Sequence, residues 1–132
     1  MIVPIIEPAG RVITILVVED EVQLRFIVSD TLRDAGFRVI EASSADEAVA
    51  FLRAPNEVSL VFSDIHLPGD VNGIGFAQML KKEHPRIKII LTTGHVARDS
   101  VPPDILLIPK PYVFARVIAE IRRMLDLEPK QS

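Results

Sequence analysis

The stretch Val12-Ile13-Thr14-Ile15-Leu16-Val17-Val18 runs straight into three carboxylates, Glu19-Asp20-Glu21. It is too continuously apolar and too β-branched for a strand with one wet face. Such runs suit a strand buried on both faces of a parallel sheet. A helix pattern follows through Leu24, Ile27, Val28, Leu32 and Ala35, and Gly36 closes it. Phe37 to Glu41 reads as a short second strand. Ser44-Ala45-Asp46-Glu47 has the form of a capping box, with Ala48, Val49 and Leu52 facing inward from its helix.

The alternation continues along the chain. Val58 to Ser63 is an apolar strand ending at Asp64, followed by a Pro- and Gly-rich loop from Leu67 to Gly73. Ile74, Ala77, Met79 and Leu80 mark a third helix that ends by Pro85. Ile87 to Leu91 and Ile105 to Ile108 are the fourth and fifth strands, and Val113, Val117, Ile118, Ile121 and Leu125 mark the last helix. Five apolar strands alternating with helices imply an α/β domain, a parallel sheet covered on both faces.

Composition sets the limits. The chain has 132 residues, the size of one ordinary domain, with 48% hydrophobic and 25% charged residues. It contains no cysteine, which excludes disulfides and thiolate chemistry and agrees with a reducing, cytoplasmic setting. The net charge is −3 and no basic run stands out, so no direct nucleic-acid contact is expected. No apolar stretch reaches the ~18 residues of a membrane span. Residues 1–11 lack the basic start and continuous apolar stretch of a signal peptide and read as an N-terminal extension of unassigned role. The domain proper is expected over 12–127, and 128–132 as a tail.

In sheets of this kind ligands bind beyond the carboxyl ends of the strands. Glu19 and Asp20 end the first strand, Asp64 the third, Thr92 and Thr93 the fourth, and Lys110 follows the fifth. Taken singly these are bland: a solvated acidic turn, β-branched strand residues, a surface lysine. Delivered together to one edge, they are not explained by core packing. At about 4 Å and an effective dielectric near 20, each pair of carboxylates costs on the order of 4 kcal/mol. The cluster must take up protons or recruit a cation, and hard oxygen donors that leave room for water favour Mg2+. A carboxylate such as Asp64 can act as a nucleophile towards a phosphoryl group. Lys110 can neutralise the transferring oxygens, and a threonine hydroxyl can donate to them.

Val17-Val18-Glu19-Asp20-Glu21, Asp64-Ile65-His66-Leu67-Pro68-Gly69, Thr92-Thr93-Gly94 and Lys110-Pro111 together resemble the receiver domain of two-component response regulators. The resemblance spans roughly residues 12–126. It implies a flavodoxin-like, doubly wound sheet of order 2-1-3-4-5 with helices on both faces. By position it implies that Asp64 is the phosphoacceptor, and that Glu19, Asp20 and Asp64 hold Mg2+ with the backbone carbonyl of His66. Thr93, with Thr92 as the alternative register, and Lys110 contact the phosphoryl group, and Lys110-Pro111 is a cis peptide. The donor would be a histidine kinase or a histidine phosphotransfer protein, and the output contact with a further, unidentified protein. Catalysis would be limited to self-phosphorylation and autodephosphorylation. With no output module following the last helix, a stand-alone receiver is expected.

The sequence departs from the family pattern in two places. The position that usually carries a Tyr or Phe switch before the lysine is Leu107, and the interval from Thr93 to Lys110 is short and holds Pro102 and Pro103. A stunted or irregular fourth helix is therefore expected. Thr93-Gly94-His95 resembles a variant receiver subclass lacking the aromatic switch, with His95 in the place of a Tyr beside the site. Glu19 stands where Asp is commoner.

Other readings are weaker. An Asp-nucleophile phosphatase would place a second acid where His66 stands, and a flavin protein would need a Ser/Thr/Gly-rich phosphate loop after the first strand. His66, His84 and His95 match no metal-ligand spacing. The remaining alternative is a degenerate receiver that binds a partner constitutively.

Overall fold

The structure, a computed structural model, describes residues 2–7, 10–94 and 101–127. Among the described residues nine elements follow one another: β1 (Thr14–Val18), α1 (Val22–Asp34), β2 (Arg38–Ala42), α2 (Ala45–Arg53), β3 (Val58–Asp64), α3 (Gly73–Glu83), β4 (Lys88–Thr93), β5 (Leu106–Pro109) and α4 (Phe114–Met124). The strands form one parallel sheet of order β2-β1-β3-β4-β5, the flavodoxin-like topology.

Every residue of β1 is buried, as its unbroken apolar run requires. Successive side chains serve opposite faces. Leu16 and Val18 join Ala45, Leu52, Phe76 and Leu80 under α2 and α3. Ile15 and Val17 join Val28, Leu32, Val117 and Ile121 under α1 and α4. Burying a large apolar side chain stabilises by about 1.5–3 kcal/mol. Two such layers on one sheet are what hold the strand ends in place.

Local signals end the helices. Gly36 has φ +102°, donates its N–H to Arg33 O, and Phe37 N–H reaches back to Leu32 O, a Schellman stop to α1. The Ser44 hydroxyl accepts from Glu47 N–H at the start of α2, while the Glu47 carboxylate accepts from the Ser43 hydroxyl. Asn72 caps α3 by accepting from Gly75 N–H.

Element ends differ from the sequence reading by one or two residues. The second strand runs Arg38–Ala42, the fourth reaches Thr93, and the fifth shifts to Leu106–Pro109. Pro109 is tolerated there because β5 is an edge strand with one unpaired side. The expected short fourth helix falls largely on residues 95–100, outside the described residues. Among the described residues no helix lies between β4 and β5. Val101 and Ile105 are buried there, and Ile105 N–H donates to Pro102 O.

The N-terminal extension packs onto the domain. Ile5 N–H donates to Gly36 O, Ile13 N–H donates to Ile5 O, and Ile5 joins the core under α1 and α4. No helix among the described residues is long and apolar enough to cross a membrane.

Candidate functional site

Four strand ends converge at the carboxyl edge of the sheet. Glu19, one residue past β1, is 5% exposed, and Asp64, the last residue of β3, is 6% exposed, whereas Asp20 is open to solvent. One carboxylate oxygen from each of Glu19, Asp20 and Asp64 lies within 4.8 Å of the others. Lys110, half-buried just after β5, places Nζ 2.6 Å from Asp64 Oδ2 and 3.2 Å from Glu19 Oε1.

Backbone groups complete the cradle. Asp64 Oδ1 accepts from His66 N–H at 3.0 Å, and Glu19 Oε2 accepts from Glu21 N–H at 3.1 Å. Arg25, on α1, donates to the Glu19 carbonyl at 2.9 Å and lies 3.4 Å from the Glu41 carboxylate, tying the first acidic turn to the helix beneath it. Thr92 pairs with Asp64 across the sheet, and its carbonyl accepts from Ile65 N–H. The Thr93 carbonyl accepts from Lys110 N–H, which brings the lysine back over the sheet edge. The Lys110–Pro111 peptide is cis.

The electrostatics follow from burial. Loss of solvent pushes the Glu19 carboxyl up, opposed by the Glu21 N–H and assisted by Asp20 and by the charge of Asp64; its pKa is about 7. Burial pulls the Lys110 ammonium down, but its hydrogen bond and charge pairing with Asp64, then Glu19, outweigh this and hold it above the ordinary lysine value. Burial thus favours the protonated Glu19 carboxyl, while Lys110 is drawn between two acids.

This donor set fits a hard divalent cation. All the side-chain donors are carboxylate oxygens, two of them held in fixed orientation by backbone N–H groups and one facing solvent, where water can complete a coordination shell.

Of the residues singled out in the sequence, Glu19, Asp20, Asp64 and Lys110 come together, with Thr92 and Thr93 on the adjoining strand end. His66 lends its N–H to Asp64, and its side chain is exposed. Leu107 is half-buried on β5 and packs with the core under α2 and α3. His84 caps the end of α3, its N–H donating to Leu80 O. His95 lies outside the described residues.

One contributor to the site and one neighbour outside it escape a sequence reading. A β-carbon on Gly73 would stand 2.2 Å from the Asp64 carbonyl oxygen, so α3 starts directly against the back of the site. Its only trace in the sequence is Asn72-Gly73 at the end of the loop, which reads equally as a turn. The second is Tyr112, whose ring packs edge-on against Phe62 at 5.7 Å and Phe114 at 5.6 Å. Burial raises the pKa of its hydroxyl, followed by the charges of Glu19, Asp64 and Glu21. Its place two residues after Lys110 was the available signal.

A doubly wound sheet with an acidic cluster and a lysine at its carboxyl edge defines a class of α/β proteins whose ligand site lies beyond the strand ends. Comparison with known proteins narrows this. The model of the response regulator receiver domain matches residues 15–102. The putative response regulator NtrX-like of Rickettsia bellii is 36% identical over 84 residues, covering 63% of this chain and 17% of the relative. The sensor kinase CckA of Brucella abortus is 32% identical over 120 residues, 86% of this chain and 12% of the relative. Among solved structures, a response regulator receiver protein from Sinorhizobium medicae superposes with a TM-score of 0.80 at 29% identity, covering 86% of this chain and 94% of that one. The chain belongs to the response regulator receiver domain family of two-component systems. It spans under a fifth of the length of the NtrX-like and CckA relatives.

Proposed function

We propose that this domain accepts a phosphoryl group on Asp64 from a histidine kinase or a histidine phosphotransfer protein, dependent on Mg2+, and signals by protein–protein contact. The observation that carries the reading is the seat of Asp64. It is a nearly buried carboxylate with one oxygen held by the His66 N–H and the other paired with Lys110, beside two further acids.

Asp64 supplies the nucleophile. One of its oxygens forms the bond to phosphorus as the bond from phosphorus to the donor's imidazole nitrogen breaks, the electron pair staying on that nitrogen, which takes a proton. Lys110 leaves its pairing with Asp64 to neutralise phosphoryl oxygens, and Thr93 donates its hydroxyl to them. Glu19, Asp20, Asp64 and the His66 carbonyl would hold the Mg2+, which supplies positive charge against the phosphoryl oxygens. Attack of water on the acyl phosphate, which releases inorganic phosphate and frees the Asp64 carboxylate, is slow autodephosphorylation, and no other turnover is expected. The domain is taken as residues 12–127, working in the cytoplasm, with no role in direct nucleic-acid binding.

Intact mass after incubation with acetyl phosphate tests this, with and without Mg2+ and beside Asp64→Asn. A single added phosphoryl group, requiring Mg2+ and missing in the variant, supports the reading. A folded protein that gains no mass under any condition would favour a constitutive binding module instead.

A further inference from the structure

One short turn serves both the charged site and a separate pocket. On one side Lys110 reaches Asp64 and Glu19 in the charged site. On the other, a pocket of about 420 Å3 opens between α1 and the same turn, lined by Leu24, Ile27, Lys110, Pro111, Tyr112 and Phe114. Apart from the lysine its lining is apolar, and it adjoins Val22, Phe26 and Val113, which are 65%, 64% and 68% exposed. Lys110 thus belongs to both the charged site and the pocket.

The ring that lines the pocket and also packs on the strand behind the charged site is Tyr112. It stands edge-on to Phe62, whose strand ends at Asp64, and edge-on to Phe114, the first residue of α4. Edge-to-face pairs carry about 0.5–1.5 kcal/mol each beyond area burial and have a preferred geometry, so a displaced ring re-seats against its partners. Pro111 has its φ held by its ring, which leaves the turn between Lys110 and Tyr112 little slack. Lys110 and Tyr112 line the same pocket, so a change in how the lysine side chain lies changes what the ring packs against.

We propose that Tyr112 couples the carboxylate site to the apolar pocket. The occupant of the site sets the position of Lys110, and Tyr112 carries that position to the wall the pocket shares with α1. This rests on the phosphoacceptor reading above. The result is a phosphoryl-dependent shape at a surface that is otherwise only an apolar hollow.

The chain holds one tyrosine and no tryptophan, so emission excited in the tyrosine band comes from Tyr112 alone. The full chain is treated with acetyl phosphate and Mg2+, and one sample is split for intact mass, tyrosine emission with acrylamide quenching, and methyl NMR of Leu24 and Ile27. The expected result is a phosphoryl adduct accompanied by a shift in emission and in both methyl signals. In Tyr112→Leu the adduct should form with loss of the methyl shifts, and Tyr112→Phe should restore them. An adduct that leaves Tyr112 emission and the methyls unmoved overturns the coupling and leaves the phosphoacceptor reading intact. Methyl shifts of wild-type size in Tyr112→Leu overturn the role of the ring. No adduct on folded wild-type protein overturns the phosphoacceptor reading and the coupling together. Should Tyr112→Leu fail to fold, the wild-type emission decides.

Discussion

Gly73 and Asp64 meet backbone to backbone: a β-carbon at Gly73 would stand 2.2 Å from the Asp64 carbonyl oxygen and 2.6 Å from the Ile65 Cα, and Gly73 N–H donates to Ile65 O at 2.8 Å. The first turn of α3 is thereby the backstop of the residue proposed to take the phosphoryl group. Neither contact atom is the free end of a side chain, so any methyl there must move the helix or the end of β3.

Gly73→Ala is expected to destabilise the domain by about 1–3 kcal/mol, the range for overpacking a tight site. Urea unfolding would measure it. Phosphorylation by acetyl phosphate should slow more than in a surface control of equal stability loss, because the displaced group is Asp64 itself. A variant with wild-type stability and rate would show that α3 gives way freely.

The pH response follows from Glu19. Its folded pKa of about 7 is above its ordinary 4.5, so the native state binds this proton more tightly than the unfolded chain. The stability it confers is complete below the unfolded value and is lost as pH rises through about 7. Metal-free protein should melt lower near pH 8 than near pH 6 by an increment that Glu19→Gln removes. Mg2+ competes with the same proton, so its stabilising effect should grow over that interval. Melting curves at the two pH values, with and without Mg2+, report both signs.

Lys110→Ala removes the cation that faces two nearly buried carboxylates. Breaking a buried pair by deleting one partner costs about 3–5 kcal/mol, reduced here because Lys110 is itself half-exposed. The metal-free variant should be destabilised above neutral pH and recover when Mg2+ is added. Denaturant titration with and without the ion checks this; an equal loss in both would mean that the lysine is a packing group.

Gly36→Ala separates two costs. Its φ of +102° strains any side chain, and a β-carbon would also stand 2.2 Å from the Val3 carbonyl oxygen. A loss of at least about 1 kcal/mol is expected from the backbone alone. Removing residues 1–4 should relieve the clash and leave the conformational part, so the substitution should cost less in the shortened chain. Equal costs in both backgrounds would mean the arm does not press on Gly36.

Much of this was legible in the order of residues. β1 and β3 announce themselves because a strand buried on both faces is apolar at most positions in succession, a pattern no amphipathic helix or half-wet strand produces. Strand ends then located Glu19, Asp20, Asp64 and Lys110, since each apolar run stops where the chain must turn. Less was legible at β5, where an edge strand needs only half its hydrogen bonds and so admits Pro109.

Sequence alone thus determined the parallel sheet, the edge that gathers its acidic residues and lysine, and the family, because these depend on which residue types follow one another. Only the tertiary structure decided that Gly73 backs onto Asp64, that Ile5 folds into the core under α1, and that Tyr112 lines an apolar pocket while packing on the strand that ends at Asp64. Those are contacts between backbone atoms or ring edges far apart in the chain. They leave no periodicity behind, since one glycine or one tyrosine serves a distant neighbour through shape rather than through a pattern.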